Sequence, residues 1–457
     1  MKNNLKKLLC AALSTAMIAG SIVLPMTASA ETTPIFDGDT VEQEWKFDFG
    51  AAGTDAEDGY TLVTPDTNYV TNKEYGFLGI DEDSYKLGNR LDGFGNQKGQ
   101  VIKLQAGGGT GLNDAIGSVG EDSFGNAGDV YYPTRFALKA DDEAYYRVRA
   151  TVTTLDTTKD AEISLYTERK HPIFTDTKVE AGQTKTVEFS VRPTPIYYEK
   201  SEPKGTIADG MVNVCVAGKN SAIASIEIQK VQEYPVFWVL GDSTVTDGNC
   251  SLPFFRLQNY TGVGTGLTKY LPRNYAMVNE GEGGLNAADN YHFNMVKDRI
   301  KAGDYLYVEY GHNHKSDGPT GYVSNLDKYY NACHSVGATL VIVSPIERIN
   351  TFTDGAYQHT LDGFATAGAK YVADKVTAGA TDIAYVDLNS YSLDFYNKIT
   401  TDNGGDSGAI KFYFQTAKGG GTDQTHPNDA GAENLAYEGC KGCNRRNAKG
   451  CFGTCCK

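Results

Sequence analysis

From residue 236 onward the chain carries five short, largely apolar runs spaced by stretches of helical length. The runs are Val236–Leu240, Tyr275–Asn279, Tyr305–Tyr310, Thr339–Ser344 and Ile383–Leu388, and the helix-length segments lie near 286–301, 323–336, 363–378 and 390–400. A strand apolar on both faces must be covered on both faces, which a sheet between two helical layers achieves. The pattern predicts a parallel α/β sheet over 236–438. In such sheets ligands sit beyond the carboxyl ends of the strands. Those ends are where chemistry is to be sought.

Before Glu233-Tyr234-Pro235 the rhythm is different. Short alternating runs recur at Tyr145–Val152, Ala161–Tyr166, Thr186–Val191, Met211–Val216 and Ala224–Ile228, separated by Gly, Asp, Asn and Pro clusters. That spacing predicts an all-β sandwich over 31–233. Abundant Gly (51) and Tyr (29) beside scarce Met (6) and Trp (2) fit a strand- and loop-rich extracellular chain. Gly93–Gly120 reads as loop, and no Lys-Ser or Lys-Thr follows its glycines as a phosphate cradle requires.

The first 30 residues read as an export signal. Lys2, Lys6 and Lys7 precede an apolar stretch, and Ala28-Ser29-Ala30 has the small residues of a cleavage site. An uncleaved N-terminal anchor is the alternative, and either places the protein outside the cytoplasm. Removing three lysines and no acid takes the net charge from −15 to −18. A surface this acidic repels phosphate backbones and argues against nucleic acid as a partner. After residue 30 no long apolar run remains, so no membrane association is expected once the signal is cleaved. Five of the nine cysteines crowd 439–457: Cys440, Cys443, Cys451, Cys455 and Cys456. Cys440 and Cys443 are spaced for disulfide chemistry or a zinc knuckle, but no histidine lies nearby to complete the latter. Apolar periodicity is absent from Gly439 on, so the last helix is expected to end by Glu438. The tail receives no role.

Four blocks stand at or near strand ends. The first run enters Gly241-Asp242-Ser243, where a serine at a helix start has unpaired backbone N–H groups beside it, or simply caps the helix. The same tripeptide at Gly405-Asp406-Ser407 has no apolar strand before it and is read as chance. The second run ends in Asn279-Glu280-Gly281-Glu282-Gly283-Gly284, an ordinary turn or one whose N–H points into a site. The third ends in Tyr310-Gly311-His312-Asn313-His314. The Asn313 amide there can stabilise an oxyanion. His312 and His314 form a His-x-His pair, but no further ligand set is visible to complete a zinc site. The fourth is Asp423-Gln424-Thr425-His426-Pro427-Asn428, in which an acid three residues before a histidine can fold back onto its ring, or a solvated turn. No Gly-x-Ser-x-Gly elbow is present, which disfavours the α/β-hydrolase arrangement.

Taken in order, these blocks resemble the SGNH (GDSL) hydrolases over about residues 236–438. The resemblance implies a flavodoxin-like parallel sheet and a catalytic set of Ser243, His426 and Asp423. It also implies an oxyanion hole from the Ser243 N–H, the Gly284 N–H (Gly281 and Gly283 being one-register alternatives) and the Asn313 amide. No metal or organic cofactor is implied. Within the family, the Gly-rich turn after Val278-Asn279, then Gly311-His312-Asn313, then Asp423-x-Thr425-His426-Pro427 most resemble rhamnogalacturonan acetylesterases of carbohydrate esterase family 12. The run Trp45–Gly50, with Gly59-Tyr60 and Tyr75-Gly76-Phe77, looks like the galactose-binding-like jelly-roll domain preceding many such enzymes. The third block usually ends in Asp, where this chain has His314. The implied activity is that of a secreted serine esterase deacetylating plant pectic polysaccharide. Its competitors are the same machinery on acetyl xylan or a lipid ester, a non-catalytic polysaccharide binder, and a metal-dependent hydrolase.

Overall fold

The computed structural model describes residues 32–72, 74–78, 104–107, 115–118, 133–168, 170–197, 206–207, 209–247, 260–417 and 420–445. The expected export signal, Cys250, Cys451, Cys455, Cys456 and most of Gly93–Gly120 lie outside them. Within that glycine-rich stretch, Leu104–Gly107 and Ala115–Ser118 pair as two antiparallel strands where loop was expected. Ile116 is buried in the core, which fixes its strand against Ile223 despite the flanking glycines.

Residues 34–231 build two mostly antiparallel sheets. One runs Thr184–Val191, Tyr145–Thr154, Ser221–Val231, Val41–Phe49 and Thr61–Val63. The other runs Tyr75–Phe77, Thr134–Lys139, Met211–Ala217, Ala161–Thr167 and His171–Val179. Their apolar faces share one core, in which Phe136 of the second sheet meets Phe47 and Phe49 of the first at ring-centroid distances of 4.8 and 5.1 Å.

The second half is α/β around a five-stranded parallel sheet: β1 (Val236–Gly241), β2 (Ala276–Asn279), β3 (Tyr305–Glu309), β4 (Thr339–Val343) and β5 (Ile383–Val386). Strand order is β2-β1-β3-β4-β5 with every pairing parallel. Helices α1 (Val263–Leu267), α2 (Tyr291–Lys297), α3 (Gly318–Ser324), α4 (Leu326–Val336), α5 (Asp362–Thr377), α6 (Leu388–Asp402) and α7 (Asp429–Arg445) surround it. Alternate β1 residues explain the apolar run: Phe237 and Val239 join a core with α1, α6 and α7, while Val236, Trp238 and Leu240 join one with α2 to α5. The order reverses at β1, so the crevice beyond the ends of β1 and β3 is the topological switch point where ligands bind in such sheets.

One expectation is corrected. The last helix does not end at Glu438 but continues to Arg445. Cys440 is buried with Leu435 and Ala436 against Leu388 and Leu393. Shape-filling small residues hold this helix in place of a leucine stripe, which is why periodicity missed its last turns.

Candidate active site

The turn after β1 is built by one glycine and one acid. A Cβ on Gly241 would lie 2.3 Å from Val245 Cγ2 and 2.4 Å from the Glu309 carbonyl oxygen, so only glycine lets the chain fold back this close to β3. Asp242 is buried, and its Oδ1 accepts the Thr244 N–H at 3.0 Å and lies 2.9 Å from Thr244 Oγ1. This side-chain turn leaves Ser243 half-buried at its tip. Tyr260 donates its hydroxyl to the Ser243 carbonyl. Burial pushes the Tyr260 phenol up, which keeps it a donor.

The fourth block arrives on a hairpin, β6 (Phe414–Thr416) and β7 (Thr422–Pro427), leading into α7. His426 Nε2 lies 2.9 Å from Ser243 Oγ, and its Nδ1 lies 3.0 Å from Asp423 Oδ2. Asp423 Oδ1 accepts the N–H groups of Thr425 and His426 at 2.7 and 2.9 Å, and Gln415 donates to Oδ2 at 3.2 Å. Burial pushes the Asp423 carboxyl up, but the bonds from the His426 ring and these backbone groups outweigh it and hold it well below the usual range. Tyr260 packs edge-on against the His426 ring with centroids 5.0 Å apart. Residues 183 positions apart thus form one hydrogen-bonded chain from hydroxyl to imidazole to carboxylate.

The second and third blocks are tied to each other. Asn279 Nδ2 donates to the Val245 carbonyl at 2.7 Å, locking the two loops, and its Oδ1 accepts the Gly281 N–H at 3.0 Å. The Gly283 N–H donates to the Glu282 carboxylate at 2.8 Å. Of the three glycines weighed from sequence, Gly284 is the exposed one, with φ +86°, and its N–H has no partner among the described residues. Asn313 donates from Nδ2 to the Leu285 carbonyl at 2.9 Å, which places its amide beside Gly284 and leaves one N–H of that nitrogen over. His314 holds the same loop: its Nε2 accepts the Ala287 N–H at 3.0 Å, so the ring proton sits on Nδ1, which donates to Asp317 at 3.0 Å. Both ring nitrogens of His314 are thereby engaged, which removes it from a His-x-His metal pair. His312 is buried, and burial holds its ring below the usual histidine range even though Asp242 pulls it upward. Among the described residues no group of three or more His, Cys, Asp or Glu side chains converges as a metal site would.

The second Gly-Asp-Ser does what a cap does. Asp406 accepts the Gly408 N–H at 2.8 Å at the start of a 3-10 helix, Ser407–Tyr413. Sequence reasoning missed Tyr260, Thr244 and Glu309. Only Glu309 carried a signal, as a charge closing an otherwise apolar run.

No family model and no curated protein matches the chain. Solved structures do. The YXIM protein of Bacillus subtilis is similar at 19% identity and TM-score 0.41, over 89% of this chain and 100% of that one. Axe2, an acetylxylan esterase from Geobacillus stearothermophilus, is similar at 14% identity and TM-score 0.31, over 45% of this chain and 93% of that one. A family two carbohydrate esterase from Clostridium thermocellum, in complex with cellohexaose, is similar at 12% identity and TM-score 0.27, over 67% of this chain and 90% of that one. At such identities and scores the functional reading rests on the geometry of the site.

Proposed function

We propose that the chain is a serine esterase of the SGNH type that removes acetyl groups from a plant cell-wall polysaccharide, with pectic rhamnogalacturonan as its substrate. The observation that carries the reading is the unbroken chain from Ser243 Oγ through His426 to Asp423, at 2.9 and 3.0 Å, placed at the switch point of the sheet. His426 takes the Ser243 proton as the hydroxyl attacks the acetyl carbonyl, and Asp423 holds the ring in the correct tautomer and stays ionised. The tetrahedral oxyanion rests on the N–H groups of Ser243 and Gly284 and the remaining Asn313 amide hydrogen. Removing one such donor costs about 3 kcal/mol, roughly a hundredfold in rate. His426 then protonates the departing sugar alkoxide, and the same base activates the water that releases acetate. No step uses a metal or organic cofactor.

The basic and apolar pattern of residues 1–30 supports secretion, and the Trp45–Gly50 run supports a galactose-binding-like role for the two antiparallel sheets. The deciding experiment measures acetate release from acetylated rhamnogalacturonan and acetylated xylan by wild type, Ser243→Ala and Ser407→Ala. Release from the pectic substrate by wild type and Ser407→Ala, and none by Ser243→Ala, is expected. Release from xylan alone overturns the substrate, and turnover retained by Ser243→Ala overturns the nucleophile.

A further inference from the structure

Behind the nucleophile one hydroxyl proton stands between two acids. Thr244 Oγ1 lies 2.9 Å from Asp242 Oδ1 and 2.9 Å from Glu309 Oε1. A threonine hydroxyl has one proton to give and two lone pairs with which to accept. It can donate fully to one carboxylate, and the other oxygen sits at hydrogen-bond distance without repulsion only by bringing a proton of its own. All three side chains are fully buried. Asp242 Oδ2 and Glu309 Oε2 have no hydrogen-bond partner among the described residues, so a second charge there would go uncompensated. Asp242 Oδ1 accepts the Thr244 backbone N–H at 3.0 Å within the turn that carries Ser243, whereas the backbone N–H facing Glu309, that of Ile346, is outweighed by burial and the Asp242 charge, which leaves Glu309 as the acid.

We propose that Glu309 is a neutral carboxylic acid that donates its proton to Thr244 Oγ1 while Thr244 donates to Asp242, and that this chain positions the Ser243 turn. Burial, and then the charge of Asp242, push the Glu309 carboxyl well above the ordinary range against the opposing bonds from Thr244 and the Ile346 N–H. The other titratable groups facing the pair are Tyr260, Tyr310 and His312 toward Asp242, and Tyr322 and Tyr396 toward Glu309. Burial raises each of these tyrosines and lowers His312, so none supplies a compensating positive charge. Asp242 and Thr244 flank Ser243, and Glu309 is the cross-strand partner of Gly241. Ionising Glu309 would set two anions against each other across that contact and draw Ser243 away from His426. Glu309 is therefore a positioning residue that touches no reacting atom.

The catalytic consequence rests on Ser243 as nucleophile; the location of the proton does not. The test compares the full chain with Glu309→Gln, Glu309→Leu and Ser243→Ala by melting, by hydrolysis of a small aryl acetate, and by difference infrared spectroscopy at about pH 7. An ordinary glutamic acid, titrating near 4.3, is ionised there. The wild type is expected to show a protonated-carboxyl stretch that Glu309→Gln abolishes. Gln keeps a donor toward Thr244, so its kcat stays within about threefold, whereas a folded Glu309→Leu loses on the order of tenfold in kcat at little-changed KM. If Glu309→Leu does not fold, the band and Glu309→Gln decide alone. Absence of a band sensitive to Glu309→Gln, or a Gln variant losing tenfold or more in kcat, overturns the proposal. Turnover retained by Ser243→Ala overturns the nucleophile instead, and leaves the infrared result to stand or fall by itself.

Discussion

Asp423 sets how the triad responds to acid. Burial alone would raise its carboxyl, yet the His426 ring and two backbone N–H groups hold it well below 3.8. A carboxyl whose folded value is depressed contributes stability that is fully present above its unfolded value, about 3.9, and is lost as pH falls through the lower folded value. Across mildly acid and neutral pH the orienting charge is thus constant. The expected outcome is near-ultraviolet circular dichroism that is unchanged from about pH 7 to pH 5. Loss of the near-ultraviolet signal over that interval would contradict this. Asp423→Asn should lower the plateau by up to ~10⁴-fold, because an amide no longer enforces the ring tautomer. At this scale Ser243 and Asn313 were legible because each stands just past an apolar strand, and Asp423 and His426 because an acid three residues before a histidine can fold back onto its ring, although the strand Thr422–Pro427 that carries them was not predicted. Tyr260 was not, since nothing in its own neighbourhood marks a tyrosine that reaches a loop 17 residues earlier.

Elements were legible where burial dictates composition. The five parallel strands are covered on both faces, so they must be apolar throughout, and each predicted run matches an observed strand within two residues. Helix α7 followed that logic only in part, since its last turns past Glu438 were not predicted. Its close partner is α1, where a Cβ on Gly266 would come within 2.7 Å of the Ala432 carbonyl oxygen, so small residues are required and no wide apolar stripe appears. This helix also carries the loop of His426: Asn428 accepts the Gly431 N–H at 3.0 Å and donates to the Phe412 carbonyl at 2.7 Å. Leu435, fully buried among Leu388, Leu393 and Leu267, is its main apolar anchor. Leu435→Ala should lower stability by about 2–5 kcal/mol. The half-inactivation temperature for ester hydrolysis should fall in step with the melting temperature. Activity surviving above the new melting point would show that the His426 loop does not depend on this helix.

At the scale of the whole molecule, the two halves meet through buried charge that neither half's sequence could disclose. The turn between strands Ala161–Thr167 and His171–Val179 takes positive φ at Glu168 and Lys170, 48° and 64°, uncommon for residues other than glycine. It delivers Lys170 to Asp429 at 2.7 Å and His171 to Asp247 at 2.9 Å. Asp429 is the first residue of α7, three positions after His426, and Asp247 is held by Asn279 at 2.8 Å. The antiparallel half therefore braces both loops that meet in the triad. The Lys170 and Asp429 side chains are only 2% and 5% exposed, so removing the lysine strands a charge that water cannot reach. Breaking a buried pair from one side costs about 3–5 kcal/mol. Lys170→Met should lose about that much stability, whereas Lys178→Met, whose exposed pairing with Asp160 is worth little, should leave stability essentially unchanged. Denaturant unfolding followed separately by tryptophan fluorescence and by esterase activity distinguishes the outcomes. If the halves are mutually braced, both probes shift together in Lys170→Met. If activity holds while the transition reported by Trp45 moves, the antiparallel half is an appendage and the site stands without it.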